Sequence, residues 1–323
     1  MLISVVITNY NYGRFLSEAI ESVLGQSHAD VECLVVDDGS TDESRSVIEK
    51  YPAVRAIFKS NSGQAQSLKM GAAAARGEVI VSLDADDYLY PDACSTIAAN
   101  WAPDLSCLNF RLKVDGQSFE SWPVEPFLDS GQGAYLARYG YYPSAPMSGN
   151  AFAASYLRAL LDRAEHLDGD GVDAYLLYSA PFCGRVSHVD RILGYYRTHG
   201  GNVSMTSGRK TVKNIGDHAY YQYWAQQNAA RSAAASGAPF PSRDHLMGAY
   251  PLLWLLVAKD GGYTRKPLPA QSRWLTTRET LKAFAVQPGI PVWSRIKNIG
   301  IVAAMAPLPL GARRKLAQRF ILV

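Results

Sequence analysis

No apolar run in this chain reaches the roughly 18 residues expected of a membrane-spanning helix. No GxGxxG follows the first apolar run, which disfavours a dinucleotide-binding fold, and no GxxxxGK ending in Ser or Thr occurs, which excludes a P-loop. The four cysteines, Cys33, Cys94, Cys107 and Cys183, are widely spaced and form no CxxC, so reduced and mostly buried thiols in a cytosolic protein are expected. A net charge of +3 over 323 residues is too mild to argue for nucleic acid as a partner. The opening Met1-Leu2-Ile3-Ser4-Val5-Val6 lacks a basic n-region and reads as a strand, not as a signal peptide.

What is present is a hydrophobic content of 48%, enough for a sizeable core in one large domain or two smaller ones. Leu2 to Thr8 is a β-branched run ended by Asn9-Tyr10-Asn11-Tyr12-Gly13, so a strand and a loop. Arg14 to Gln26 sets Phe15, Leu16, Ala19, Ile20, Val23 and Leu24 at helical spacing. Val31 to Val36 predicts a second strand, closed by Asp37-Asp38-Gly39-Ser40-Thr41-Asp42, with Ser40 or Thr41 capping a helix through about Tyr51. Val54 to Phe58 predicts a third strand, Asn61-Ser62-Gly63 turns into a helix ending near Ala75, and Val79 to Leu83 predicts a fourth strand. This alternation predicts an α/β fold with a parallel sheet flanked by helices. Ligands of such sheets bind beyond the carboxyl ends of the strands. The loops Thr8–Asn11, Asp37–Ser40 and Asp84–Asp87 should therefore converge on one crevice.

The fourth apolar run delivers Asp84-Ala85-Asp86-Asp87 to that edge. Three carboxylates so close repel one another, and burial raises the penalty. A divalent cation is the natural companion, and hard oxygen ligands suit Mg²⁺ or Mn²⁺. A cation held this way often neutralises phosphates. A sugar-nucleotide pyrophosphorylase would carry a Gly-rich loop with Arg where this chain has Thr8-Asn9-Tyr10-Asn11. A phosphatase with a nucleophilic aspartate would carry its DxD on the first strand, not the fourth.

These residues resemble family 2 glycosyltransferases with the GT-A fold. The resemblance is carried by Val5 to Asn11, by Val35 to Asp42, by Asn61 to Ala65, by Arg76 to Ile80, by Asp84-Ala85-Asp86-Asp87 as the DxD motif, by Ser148 to Phe152, by Asp173 to Leu176, and by Tyr196 to Ser204. It covers roughly residues 2 to 205 and rests on the order of the motifs, since each alone is weak. It implies a GT-A fold: a mostly parallel nucleotide-binding sheet flanked by helices, followed here by a helical C-terminal extension. It also implies residues 1–110 as the nucleotide-sugar half, 111–205 as the acceptor-side half, and 206–323 as a helical C-terminal region.

The activity implied is transfer of a sugar from a nucleotide diphosphate to an acceptor hydroxyl, with inversion. The leaving diphosphate would be stabilised by Mn²⁺ or Mg²⁺ acting as a Lewis acid. Asp86 is the implied direct ligand. Asp84 contacts the ribose, or the metal through water. Asp87 either ligates or caps the following turn. Thr8, Tyr10 and Asp38 are implied for the nucleoside. A tyrosine ring offers a stacking face, and a carboxylate can accept the imide N–H of uracil. That favours a UDP-sugar, although guanine presents similar donors. Asp37 shares the task or satisfies its own turn.

Lys69 stands where relatives commonly carry Asn, and either reaches a phosphate or lies on a helix surface. Asp168, Asp170 and Asp173 all precede an apolar run, and only the resemblance selects Asp173 as the base. His199 completes the metal shell, donates to the diphosphate, or is held within its loop. Arg197 pairs with phosphate or with an acidic loop residue, and Asn150 belongs to the acceptor-side motif. Tyr135, Tyr139, Tyr141 and Tyr142 read as core packing before acceptor stacking.

Beyond the match, His218 to Ala235 and His245 to Lys259 read as helices. After Glu279 there is no acidic residue, while Lys282, Arg295, Lys297, Arg313, Arg314, Lys315 and Arg319 are basic and surround the apolar run Ile299 to Leu310. The alternatives are adsorption to an anionic membrane surface or a helix packed on the catalytic domain. Adsorption would suit a peripheral protein on the inner face of the plasma membrane, acting on a saccharide or lipid-linked saccharide in surface polysaccharide or glycolipid synthesis. A non-catalytic sugar-nucleotide binding module and a nucleotidyltransferase are the competing functions.

Overall fold

A computed structural model describes residues 1–115, 119–164, 171–199, 212–240, 252–253, 256, 273–288 and 290–320. By its internal contacts the chain divides into two compact units. The first comprises Met1–Gln132 and Pro143–Thr198, the second Gly133–Tyr142 and His199–Val323.

The first unit is built on one nine-stranded sheet. Strands β1 (Ile3–Asn9), β2 (Val31–Asp37), β3 (Arg55–Phe58) and β4 (Val79–Asp84) lie in the order β3-β2-β1-β4, all parallel. Every residue of β1 is buried, as expected of a strand covered on both faces. Helix α1 (Gly13–Leu24) turns Leu16, Ala19, Ile20 and Val23 inward at helical spacing. Helix α2 (Ser44–Ile48) is shorter than the sequence suggests, and neither Ser40 nor Thr41 caps it. Asp42 does that work instead: its Oδ1 accepts from the Ser44 N–H at 3.0 Å and its Oδ2 from the Gly13 N–H at 2.9 Å, pinning the starts of both helices together. Helix α3 (Gln64–Ala74) crosses the sheet from β3 to β4. A side chain at Gly71 could not be housed, since a Cβ there would lie 2.3 Å from a Val6 methyl.

The chain thus moves outward from β1 to β3 and returns to the far side of β1 as β4. The gap between β1 and β4 is a topological switch point, where ligands of open α/β sheets bind. Register places Thr8 of β1 against Asp84 of β4, and Asn9 against Asp37 of β2. The three polar loops therefore do share one edge.

The other half of the sheet is mixed. After β5 (Tyr88–Leu89) and α4 (Ala93–Asn100) come β6 (Leu105–Val114) and β7 (Ser121–Trp122). Helix α5 (Gln132–Tyr139) falls almost wholly in the second unit. Strand β8 (Asn150–Ala153) inserts antiparallel between β4 and β6, and α6 (Ala154–Asp162) and α7 (Val172–Ser179) precede β9 (Arg185–Tyr196), which is parallel to β6. The boundary expected between residues 110 and 111 runs through β6, because one continuous strand serves both halves.

In the second unit, α8 spans Val212–Ser236, α9 Arg273–Val286, α10 Val292–Met305 and α11 Leu310–Phe320. Leu253, Leu256, Phe284, Ile290, Val302 and Met305 form its apolar cluster. The rings of Tyr135, Tyr139 and Tyr141 pack on one another, and the Tyr141 hydroxyl donates to the Pro288 carbonyl at 3.0 Å. This is the packing reading of the tyrosine-rich stretch. Most of the helix expected over 245–259 lies outside the described residues, as do Asp168, Asp170 and the motif residues Gly200 to Ser204.

Candidate active site

Asp84 is the last residue of β4, and Asp86 and Asp87 follow in a tight turn closed by the Asp87 N–H donating to the Asp84 carbonyl at 3.0 Å. Each of the three offers a carboxylate oxygen, and these oxygens all lie within 4.8 Å of one another. Asp86 and Asp87 are buried and Asp84 is partly exposed. Burial first, then the charges of Asp86 and Asp173, push the Asp84 pKa from 3.8 up to about 8, against a hydrogen bond from Gln64. Asp87 is raised well above the carboxylate range, again by burial first and then by Asp86 and Asp84. The cluster therefore holds protons at neutral pH unless a cation replaces them. Three hard oxygen donors around one point fit Mg²⁺ or Mn²⁺.

Long-range contacts hold this turn. The Asp84 N–H donates to Ser148 Oγ at 3.1 Å, and that hydroxyl donates to Asp87 Oδ2 at 2.6 Å. Gln64 Nε2, at the start of α3, donates to Asp84 Oδ1 at 2.6 Å. From the end of β9, the Arg197 N–H donates to Asp87 Oδ1 at 2.9 Å, and Arg197 Nε donates to the Asp86 carbonyl at the same distance. The Arg197 guanidinium also pairs with Glu18 of α1 and sits 4.9 Å from the Phe15 ring centre. Of the two alternatives for Arg197, the structure shows an acidic partner.

Asp173 stands in the first turn of α7, its Oδ1 accepting from the Ala174 N–H at 2.7 Å. Its charge is near enough to Asp84 to raise that carboxyl. The fold thus brings Asp173 near the cluster.

Thr8 is buried beside Asp84 in register, and Tyr10 is 45% exposed just past β1. Asn11 follows at φ +58°, its Oδ1 accepting from the Thr41 N–H at 2.8 Å, which ties the first loop to the second. Asp37 is a turn aspartate: it accepts from Asn9 Nδ2 at 2.7 Å and from the Ser40 N–H at 2.9 Å. Asp38 is buried. Its Oδ1 accepts from the Ser62 N–H and its Oδ2 from the Gly63 N–H, each at 2.8 Å, while Lys59 pairs with Oδ1. Gly63 sits at φ +92°, a backbone conformation that favours glycine. Three donors leave one of about four lone-pair sites, on Oδ2.

Two expected contacts lie elsewhere. Lys69 pairs at 3.2 Å with Asp162 at the end of α6, so of its two alternatives the structure shows a surface ion pair. Asn150 is fully buried; it accepts from Asn109 and donates to the carbonyl of Pro146 at 2.6 Å, so it braces the 145–149 segment and presents no group to an acceptor. His199 belongs to the second unit. Sequence reasoning gave no role to Gln64, Ser148, Glu18 or Lys59. Gln64 and Ser148 sit inside recognised motifs, which was the available signal; Glu18 and Lys59 carry none.

Residues 4–163 match the family described as Glycosyl transferase family 2. An uncharacterized glycosyltransferase of Nostoc sp. is 36% identical over 226 residues, covering 65% of this chain and 69% of that protein. The chain belongs to glycosyl transferase family 2, and it is a glycosyltransferase. Chondroitin synthase of Pasteurella multocida is 28% identical over 232 residues; the match covers 66% of this chain but 22% of that much longer protein. Among solved structures, S. aureus TarS 1–349 matches with a TM-score of 0.60 at 16% identity, covering 99% of this chain and 91% of that one. The same fragment in complex with UDP-GlcNAc matches at 0.56, with 16% identity and coverage of 99% and 92%. The likeness shows the fold, a GT-A sheet flanked by helices with C-terminal helices.

Proposed function

We propose that this glycosyltransferase is an inverting, metal-dependent enzyme that moves a sugar from UDP to an acceptor hydroxyl. The observation that carries the proposal is the meeting of two chemistries near the switch point: three clustered carboxylates on the β4 turn, and Asp173 at the start of α7, near enough for its charge to act on Asp84.

Asp86 and Asp84 would hold Mn²⁺ or Mg²⁺, with Asp86 the direct ligand. Asp87, with a donor on each oxygen, serves chiefly to lock the turn. When bound, the ion supplies charge stabilisation to the departing diphosphate. Tyr10 offers its exposed ring to the base, and the remaining Asp38 Oδ2 lone pair accepts the uracil imide. Thr8 lines the gap beside the ribose. The donor bound by the TarS fragment supports uridine as the base.

Asp173 takes the proton from the acceptor hydroxyl as that oxygen attacks the anomeric carbon and the bond to the diphosphate breaks. Its position in the first turn of α7 favours the ionised form. A saccharide or lipid-linked saccharide acceptor, used at an anionic membrane surface, completes the reading; similarity to a chondroitin synthase supports a polysaccharide product.

Turnover of a UDP-sugar with UDP release is the direct test. Asp173→Asn should lower it by about 10² to 10⁴ with UDP binding retained. Unchanged turnover in that variant rules out Asp173 as the base. Pyrophosphate release would instead indicate nucleotidyl transfer, and binding without turnover a binding module.

A further inference from the structure

The basic C-terminal region does not present the surface that its sequence suggests. Part of the apolar run from Ile299 to Leu310 is turned inward: Val302 and Met305 are buried in the cluster of the second unit, and Ile299 and Ile301 pack against it. Three of the arginines are occupied by helix ends. Arg295 donates to the carbonyls of Ala285, Gln287 and Ile290, closing the end of α9. Arg273 donates to Met305 and Ala306 at the end of α10, and Arg313 to Leu308. These bonds neutralise carbonyls that a helix C-terminus leaves open.

Leu310 and Trp274 are exposed, and four further exposed apolar residues stand where α9 turns into α10. Val286 ends α9, Val292 and Trp293 begin α10, and Ile296 lies one turn on. Trp293 is 81% exposed, Ile296 55%, and Val286 and Val292 are each more than half exposed. Lys282 and Lys297 are exposed one turn away on either helix, and the sequence from Thr280 to the end contains no carboxylate side chain. Lys282 pairs with Glu279 at 3.3 Å, which leaves Lys297 as the lysine beside Ile296 and Trp293. A tryptophan with aliphatic neighbours and a lysine at its edge matches the interface of an anionic bilayer. A stable protein partner would want about 800 Å² on this side, more than the four side chains of a two-helix tip offer. No helix among the described residues is long and apolar enough to cross a membrane.

We propose that the α9–α10 tip, led by Trp293 and Ile296 with Lys297 behind them, docks the protein on anionic lipid headgroups. This deepens the membrane part of the reading above and rests on it. The test is co-sedimentation of the full chain with vesicles of phosphatidylcholine alone and of phosphatidylcholine with phosphatidylglycerol, at low and high salt. The wild type should bind only the anionic vesicles, and salt should weaken it. Trp293→Ala should reduce binding by about tenfold, and Lys297→Gln by about fivefold. Because these groups are exposed, both variants should keep the wild-type melting temperature.

Wild-type protein that binds no vesicle overturns the membrane reading and the tip with it. Binding that survives both substitutions overturns the tip alone. A concentration-dependent dimer in size exclusion that Trp293→Ala dissolves would assign the face to a second copy of the chain and overturn the proposal. None of these arms needs turnover, so the transferase reading stands or falls separately.

Discussion

Replacing Asp84 by asparagine should act in opposite directions on the metal-free and the metal-loaded protein. The three carboxylates lie within 4.8 Å of one another. Two unit charges at about that spacing repel by about 3 kcal/mol when the effective dielectric constant is near 20. Asp84 avoids part of this by keeping its proton up to about pH 8, its pKa raised from 3.8 by burial and by Asp86 and Asp173. Between those two values the folded chain holds a proton that the unfolded chain has released. Metal-free stability should therefore fall as pH rises through that window. Asparagine cannot ionise, so the variant should escape the fall.

In chelator at about pH 9 the variant should be the more stable by about 3 kcal/mol, or several degrees in melting temperature. Below about pH 4 the wild-type carboxyl is protonated in the folded and the unfolded chain alike, and only there should the two melt close together. Manganese at about a hundred times its dissociation constant should stabilise the wild type by about 2.7 kcal/mol and the variant far less. Thermal melts across pH, with chelator and with Mn²⁺, read all of this. A variant that is less stable than wild type at high pH without metal, or one that keeps the full manganese gain, refutes the reasoning.

Arg197→Ala should weaken Mn²⁺ binding without touching a ligand, because it frees the Asp86 carbonyl and the link to Glu18; loss of a charge-assisted bond amounts to about 1.5–3 kcal/mol. A calorimetric Mn²⁺ titration checks it, Arg197→Lys should restore only part, and an unchanged affinity contradicts the role. Glu32→Gln should destabilise the fold by about 3 kcal/mol at neutral pH. Burial opposes its ionisation, but bonds from Ser4, Arg76 and Arg55 outweigh that and lower its pKa from 4.5 to about 2. Its depressed pKa makes the contribution full above about 4.5 and lost as pH falls through about 2, so denaturant melts of wild type and variant should converge in acid.

Strands β1, β2 and β4 were legible because each is a short buried apolar run stopped by a polar loop, and β3, an exposed edge strand, because it is a short run between turns. Their parallel order followed from the alternation with helices, and with it the shared edge of Thr8, Asp37 and Asp84. Strand β9 is different: Arg185, Asp190 and Arg191 interrupt it, since its polar residues form surface ion pairs with Asp104, Asp92 and Arg111. Strand β8 is four residues long and takes its place only by pairing with β4 and β6. The carboxylate cluster was visible as three aspartates in sequence. The groups that hold it were not, because a serine, a glutamine or an arginine reads the same whether it is solvated or braces a turn many residues away. Asp38 illustrates the point. Its partners Lys59, Ser62 and Gly63 come from another loop, and only the fold shows that most of its acceptor capacity is taken.

The central claim is that the β4 aspartates bind a nucleoside diphosphate through a divalent cation. Calorimetric titration of UDP into the protein with Mn²⁺, and again with chelator, tests it most directly, with Asp86→Ala alongside. The account predicts binding by the wild type only when Mn²⁺ is present, and none by the variant in either condition. UDP binding of equal strength in chelator, or in Asp86→Ala with Mn²⁺, would contradict it.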